Sequence, residues 1–522
     1  MPARAQGRGA SALALLAALA ALASLVSAAP PAAPGSAGVQ WAWIGGLEDS
    51  GAVLKARLAG DAKGGRAEVR RAQGFGGETE EAADQVAVFE ATHVGPFGVA
   101  EILLHGLPAA TRFEYSVQAT GADGAVVGEK TRGRFRTTAA KGTPMDFAFG
   151  FASCADNHSN AIIFDVIREH DPLFFMHMGD LHYGNVDRNE GALFHAMYDQ
   201  VMSNPRQARF FRDVPLAYMF DDHDFGPNNS DESSPGREAS IAAYLEAVPT
   251  YPLAAYDKGP QHSRRADGKL PSVYFAFTLG RIRFLVTDTS SSKRGRETAL
   301  GEEQLDWFLR SLREAAQDSR VGQIIWVSTM PWVTIHDKWA VFTNDRKRIV
   351  ETIEELGLQR KLVQLAGDAH MLALDDGEHV AGGFPVFQAA ALDAKPTCKG
   401  GPYSHGIYPG RGQYGWLEVR DNGKQVCLTI QGRRVDLDTG REQTLLRFDT
   451  CDSSNNSPRR TYYPSPPWVE RIWKVVKKTC VPESYMVFFD SFTVSLRMVF
   501  TDYALPALLL IPVGLFLRQR GI

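Results

Sequence analysis

Ahead of the chain's midpoint the sequence runs Leu173-Phe174-Phe175-Met176-His177-Met178-Gly179-Asp180-Leu181-His182-Tyr183. The six residues to Met178 have the length and apolar content of a core strand, and a glycine, a carboxylate, an imidazole and a phenol follow at once. The same order recurs on both sides. Phe147 to Ser153 leads into Cys154, Leu216 to Phe220 into Asp221-Asp222-His223-Asp224 with Asn228-Asn229 beyond, and Leu362 to Leu365 into Gly367-Asp368-Ala369-His370. Arg283 to Thr287 and Ile324 to Ser328 complete a set of short apolar strands alternating with amphipathic stretches, which predicts a layered α/β domain. In such folds ligands bind beyond the carboxyl ends of the strands.

Four strand ends thus deliver thiol, carboxylate, phenol, amide and imidazole groups. Hard cations take oxygen and nitrogen donors, and a carboxylate such as Asp180 can bridge two of them and offset their repulsion. Gly179 and Gly367 permit the turns that bring backbone close to such ions. Each motif alone is a common solvated turn or buried polar residue. Their combination at successive strand ends points to a metal centre.

Taken in order, Ala152-Ser153-Cys154, Gly179-Asp180-Leu181-His182-Tyr183, Asp221-Asp222-His223-Asp224 with the asparagine pair, Met330-Pro331-Trp332 and Gly367-Asp368-Ala369-His370 resemble the alkaline phosphatase D family. That family lies among the calcineurin-like and purple acid phosphatase metallophosphoesterases. The resemblance spans about Ala148 to Phe387 and implies a β-sandwich core flanked by helices, with sheets that can be mixed. It implies that Cys154, Asp180 and Tyr183 hold an iron, and that Asp180, Asn228 or Asn229, Asp368 and His370 hold one or two further ions such as calcium. Spacing from His223 favours Asn228. A thiolate and a phenolate suit ferric iron, which accounts for an odd cysteine. His223 is placed to donate to the departing oxygen, with Asp222 or Asp224 orienting it. With such cations the expected nucleophile is a hydroxide whose pKa they would lower, attacking phosphorus in line without a phosphoenzyme.

Residues 39–138 differ from the rest. They are glycine-rich with short alternating runs, and Leu107-Pro108-Ala109-Ala110-Thr111-Arg112-Phe113-Glu114-Tyr115 with Gly133 to Thr138 resembles a fibronectin type III unit. This predicts an all-β domain, a linker at Thr138 to Thr143, and a catalytic domain over 144–451.

The 522 residues are about 44% apolar and 22% charged, with a formal net charge of −4. Such a chain has a large core and no global basic field, so nucleic acid is not expected as a bulk partner. Arg4 and Arg8 before an Ala/Leu run, then Ser27-Ala28-Ala29, read as a signal peptide over 1–29. Tyr503 to Leu517 is free of charge and closed by Arg518 and Arg520, so 498–517 reads as a C-terminal span and 452–480, rich in proline, as a stalk. These segments predict a single-pass membrane protein with a lumenal or extracellular catalytic domain. In that setting Cys398, Cys427, Cys451 and Cys480 are expected to form two disulfides, leaving Cys154 free.

Three functions fit: a phosphomonoester hydrolase, a phosphodiesterase or phospholipase D-like hydrolase of the same chemistry, and a non-catalytic surface binding protein working through its β domain. Full retention of the ligand residue types favours the first two. The cleft walls, which select substrate, have no sequence signature.

Overall fold

The computed structural model describes residues 38–72, 86–256, 264–265, 267–334, 337–397 and 399–452. Strands β1 (Gly38–Gly45), β2 (Ala52–Ala59), β3 (Gly64–Arg71), β4 (Ala87–Glu90), β5 (His93–Val94), β6 (Val99–Leu104), β7 (Arg112–Thr120) and β8 (Val126–Arg136) come first, with no helix among the described residues up to 136. Period-two patterning makes them. In β7 Phe113, Tyr115, Val117 and Ala119 are buried and Glu114 is exposed. The sheet β4-β3-β7-β8 meets β5, β6, β2 and β1 across a core that includes Ile44, Leu54, Ile102, Phe113, Val117 and Phe135.

The second region supplies β9 (Phe147–Ala152), β10 (Phe175–His177), β11 (Leu216–Tyr218), β12 (Phe275–Leu279), β13 (Ile282–Thr287), β14 (Gln323–Ser328), β15 (Leu362–Ala366), β16 (Met371–Asp375), β17 (Val386–Ala389), β18 (Ile407–Pro409), β19 (Gln413–Asp421), β20 (Val426–Val435) and β21 (Glu442–Cys451). β9, β10 and β11 are parallel, and so are β13, β14, β15 and β17. Antiparallel β19, β20 and β21 extend the first set and β12, β16 and β18 the second, giving mixed sheets. The two sheets pack face to face through aromatic rings: Phe149 meets Phe284 at 5.6 Å and Phe151 meets Phe387 at 5.6 Å, centroid to centroid. On the outer face of the second sheet lies the helix Gly301–Gln317, whose buried Leu305, Phe308, Leu309 and Leu312 recur at helical spacing. They pack in one cluster with Trp326 of β14 and with Ile349 and Ile353 of the helix Thr343–Glu355.

The strands expected from sequence lie where they were read, each within a few residues of its bounds. The first region is less separate than expected. Gly45 of β1 pairs with Leu216 of β11, so one sheet of ten strands, β21-β20-β19-β9-β10-β11-β1-β2-β6-β5, runs through both regions. A Cβ at Gly45 would lie 2.3 Å from the Leu216 carbonyl oxygen, so only glycine permits the pairing. The Thr138 to Thr143 stretch is pinned at both ends: Thr138 N–H donates to Glu48 O, and Gly142 N–H to Gly280 O.

The expected single-pass membrane placement is corrected: among the described residues no helix is long and apolar enough to cross a membrane. The segments it was read from, 1–29, 498–517 and nearly all of 452–480, lie outside the described residues. Of the late cysteines, Cys427 and Cys451 form a disulfide between β20 and β21. Cys398 and Cys480 also lie outside the described residues.

Candidate metal centre

The carboxyl ends of β9, β10, β11 and β15 converge, and their loops are tied to one another before any side chain is considered. Cys154 N–H donates to Gly179 O and Ala155 N–H to Asp180 O, while Asp368 N–H donates to Ser153 Oγ at 3.1 Å. Contacts this close exclude a side chain at two positions. A Cβ at Gly179 would sit 2.4 Å from that of Asp221, and one at Gly367 would sit 2.7 Å from Met178 O. Among the described residues nine that are not glycine have left-handed backbone. Seven of these (Cys154, Asp180, Asn185, Asn229, Lys338, Asp368 and His370) belong to this site or touch a residue that does. Backbone strain concentrated in one place is the mark of a site held together by the rest of the fold.

Ligand atoms of Cys154, Asp180 and His370 lie within 4.8 Å of one another, as do those of Asp180, Asp222 and His223, and those of Asp221, Asp222 and Asp368. Four carboxylate oxygens, Asp180 Oδ1, Asp221 Oδ2, Asp222 Oδ1 and Asp368 Oδ2, are buried with no hydrogen-bond partner. Orphaned buried oxygens are rare and costly, and four carboxylates packed together cannot all ionise without positive charge between them. Burial and the facing Asp222 accordingly push Asp221 up to about 8. Burial, then Asp222 and Asp221, push Asp180 well above the usual carboxylate range. Burial and Asp180 raise the Cys154 thiol in the same way. Such a donor set, acidic and unsatisfied, fits divalent or trivalent cations.

Individual side chains are set in place by specific bonds. His370 Nδ1 donates to Lys395 O, which leaves Nε2 as the acceptor, and Nε2 stands 3.1 Å from Tyr183 Oη. Tyr183 N–H donates to Asn157 Oδ1. Asp224 is spent structurally, accepting from the backbone N–H of His182 at 2.9 Å and of Asp221 at 3.0 Å. His223 Nδ1 bonds Asn185 Oδ1 at 2.7 Å, and its ring lies 4.5 Å from that of Tyr183.

The structure thus brings together Cys154, Asp180, Tyr183, Asp222, His223, Asp368 and His370. Asn228 and Asn229 are both exposed, and the backbone N–H of Asn229 donates to Asp222 Oδ2 at 2.5 Å. His370 falls beside Cys154 and Tyr183. Asp221, first of the doubled aspartates, joins Asp222 and Asp368 although the resemblance does not imply it as a ligand. Asn185, Lys338 and Lys399 had none. The two lysines reach Asp368 Oδ1 at 3.0 and 2.9 Å from distant loops. Burial alone would raise Asp368, but these ammonium groups outweigh it and hold the carboxyl below its usual range.

A two-layered mixed α/β fold with an acidic metal centre at its strand ends defines a metal-dependent phosphoesterase hydrolase. Residues 147–389 match the family model described as PhoD-like phosphatase, in line with the resemblance carried by the motifs. Among solved structures the chain is similar to one titled Structure of PhoD, at 16% identity over 88% of this chain and 98% of that one, with a TM-score of 0.63. It also matches purple acid phosphatase PPD1 from yellow lupin (Lupinus luteus) seeds, at 11% identity over 81% of this chain and 77% of that one, with a TM-score of 0.49. No curated protein matches the chain.

Proposed function

We propose that the chain hydrolyses phosphomonoesters at this centre, and that residues 144–451 form the catalytic unit behind a fibronectin type III-like unit over 39–138. The observation that carries the reading is the set of four orphaned carboxylate oxygens beside a thiol, a phenol and an imidazole. Cys154, Asp180, Tyr183 and His370 would hold an iron, since thiolate and phenolate suit ferric charge. Asp180, Asp221, Asp222 and Asp368, with an amide of the 228–229 pair, would hold calcium or a similar hard cation. When bound, the cations supply Lewis acidity, lowering the pKa of water and neutralising phosphoryl charge.

The chain's own groups do the rest. Asp180 lies in two of the three ligand groups, as does Asp222, so each could be shared between neighbouring cations. Asn185 accepts from His223 Nδ1, which leaves Nε2 as the nitrogen that takes up a proton and returns it to the departing oxygen. Burial lowers the His223 pKa, and Asp222 opposes that shift only in part. No observation among the described residues favours a lipid substrate over a soluble one.

The test compares hydrolysis of para-nitrophenyl phosphate with that of bis(para-nitrophenyl) phosphate by the protein purified with its metals, alongside Asp180→Asn. We expect monoester turnover that falls by about 10³-fold or more in the variant, with a parallel loss of bound metal, as for removal of a ligand shared between ions. A diester preference would move the reading to a phosphodiesterase. Turnover retained by Asp180→Asn would sink the assignment of the centre.

A further inference from the structure

Two ammonium groups converge on the same carboxylate oxygen. Lys338 opens the single 3₁₀ turn Lys338–Val341 that follows β14, and Lys399 lies in the loop between β17 and β18. Both donate to Asp368 Oδ1, at 3.0 Å and 2.9 Å. Asp368 Oδ2 is left buried and unpartnered. The lysines therefore hold one edge of this carboxylate and leave the other to the metal cluster.

Asp368 stands with Asp221 and Asp222 in one acidic group, and only its Oδ1 edge is taken by the two ammonium groups. Each ammonium has three N–H donors and uses one on Oδ1, with Lys399 adding a long contact of 3.5 Å to Asp368 O. Donors remain on both. Their side chains are 11% and 30% exposed, so both are largely covered and Lys399 keeps the larger solvent-facing part. Both charges act on His223, and that of Lys338 also acts on Asp222 and Asp221. Lys338 holds this position at a φ of +49°, one of the strained positions of the site, although it is no metal donor. A structural ion pair has no need of such backbone. Two adjacent ammonium groups with spare donors, at the rim of a carboxylate group suited to hard cations, describe a receptor for an anion carrying more than one negative charge.

We propose that Lys338 and Lys399 bind the non-bridging oxygens of the substrate phosphate and select a terminal, dianionic phosphate over the monoanionic phosphate of a diester. The inference rests on the phosphoesterase reading above and names the side chains that set its substrate class. A monoester places two charges on three terminal oxygens and keeps them there in a loose transition state, whereas a diester offers one charge on two oxygens. Compact point charges such as ammonium groups discriminate on that difference.

The test uses the full-length protein with its metals, as wild type, Lys338→Met, Lys399→Met, the double variant and Lys338→Arg. kcat/KM is measured for para-nitrophenyl phosphate and its bis ester, binding of inorganic phosphate by calorimetry, metal content by elemental analysis and folding by thermal melting. Each Met variant should lower the monoester-to-diester ratio by about 10- to 100-fold, the range for losing a hydrogen bond to a charged group. Phosphate binding should weaken by a similar factor at unchanged metal content, and Lys338→Arg should recover part of the loss. Equal losses on both esters, or metal lost from both single variants, would show that the lysines only position Asp368 and would overturn the proposal. Lys399 is the more exposed of the pair, so Lys399→Met carries the test if Lys338→Met melts early. A wild type that turns over neither ester defeats the phosphoesterase reading alone. Phosphate binding lost in the double variant would then still support the lysine pair, and binding retained there would refute it.

Discussion

His177 shows how a side chain next to a catalytic loop is read wrongly or rightly by its burial. It lies in β10, three residues before Asp180, fully buried between Phe175 and Tyr218, with neither ring nitrogen hydrogen-bonded. Burial, helped by His182, lowers its pKa to about 3, so it is neutral in the folded protein. In the unfolded chain it titrates near 6.5. Between those values only the unfolded state binds the proton, so stability is lost as pH falls through about 6.5, at no more than about 1.4 kcal/mol per pH unit for this group. His182, lowered to about 3 by burial, adds to the same limb. His177→Leu removes one of the two protons and an unsatisfied polar ring. Its stability, followed by chemical denaturation at pH 7, 5.5 and 4, should fall less steeply than that of the wild type. An unchanged slope would mean that His177 is protonated in the fold.

At the scale of elements, the apolar runs were legible because strands buried on both faces have little freedom in composition. Phe147 to Ser153 and Ile324 to Ser328 could hardly be anything else. The metal loops were legible for a related reason: Gly179 and Gly367 are forced by contacts under 3 Å, and the donors follow them directly. What could not be read is whatever arrives from far along the chain. Lys338 and Lys399 sit in loops whose local sequence carries no periodicity, and Asn185 meets His223 only because the β10 and β11 loops cross. Cysteine pairing belongs here too, since spacing left the connectivity open. The bridge between Cys427 and Cys451 joins the outermost hairpin of the ten-stranded sheet, where β21 is the edge strand among the described residues. With the two cysteines separated by 24 positions in sequence, loop closure in the unfolded chain is worth roughly 3 kcal/mol. Cys451→Ser should lose about 1–3 kcal/mol in denaturant unfolding, because strand pairing along β20 and β21 retains part of the constraint. With dithiothreitol present the wild type and the variant should unfold at the same denaturant concentration.

Over the whole molecule, the question is whether the first region is an appendage or part of the catalytic body. The shared sheet argues for one body, and so do the side chains that cross the boundary. Trp43 Nε1 donates to Ala247 O at 2.6 Å, Trp41 Nε1 to Asp199 Oδ1 at 2.7 Å, and Tyr115 Oη to Arg212 O at 3.0 Å. Glu246, near the end of the helix Arg237–Ala247, accepts from Phe97 N–H at 2.9 Å and Val99 N–H at 3.4 Å, and its other oxygen stands 3.4 Å from His195 Nε2. Phe97 in turn stacks on His195 at 4.3 Å. Folding of either region alone would expose Trp43 and strand these donors, so calorimetry should show one transition rather than two. Glu246→Ala leaves two backbone N–H groups without their acceptor, at about 1–3 kcal/mol. It should lower Tm while kcat/KM on the monoester stays within about twofold, because Glu246 touches none of the metal-centre residues. Two resolved transitions in the wild type, with Glu246→Ala shifting only one, would instead mean that the sheet pairing at Gly45 and Leu216 is too brief to couple the halves. The first region would then be a separable domain that leans on the enzyme without stabilising it.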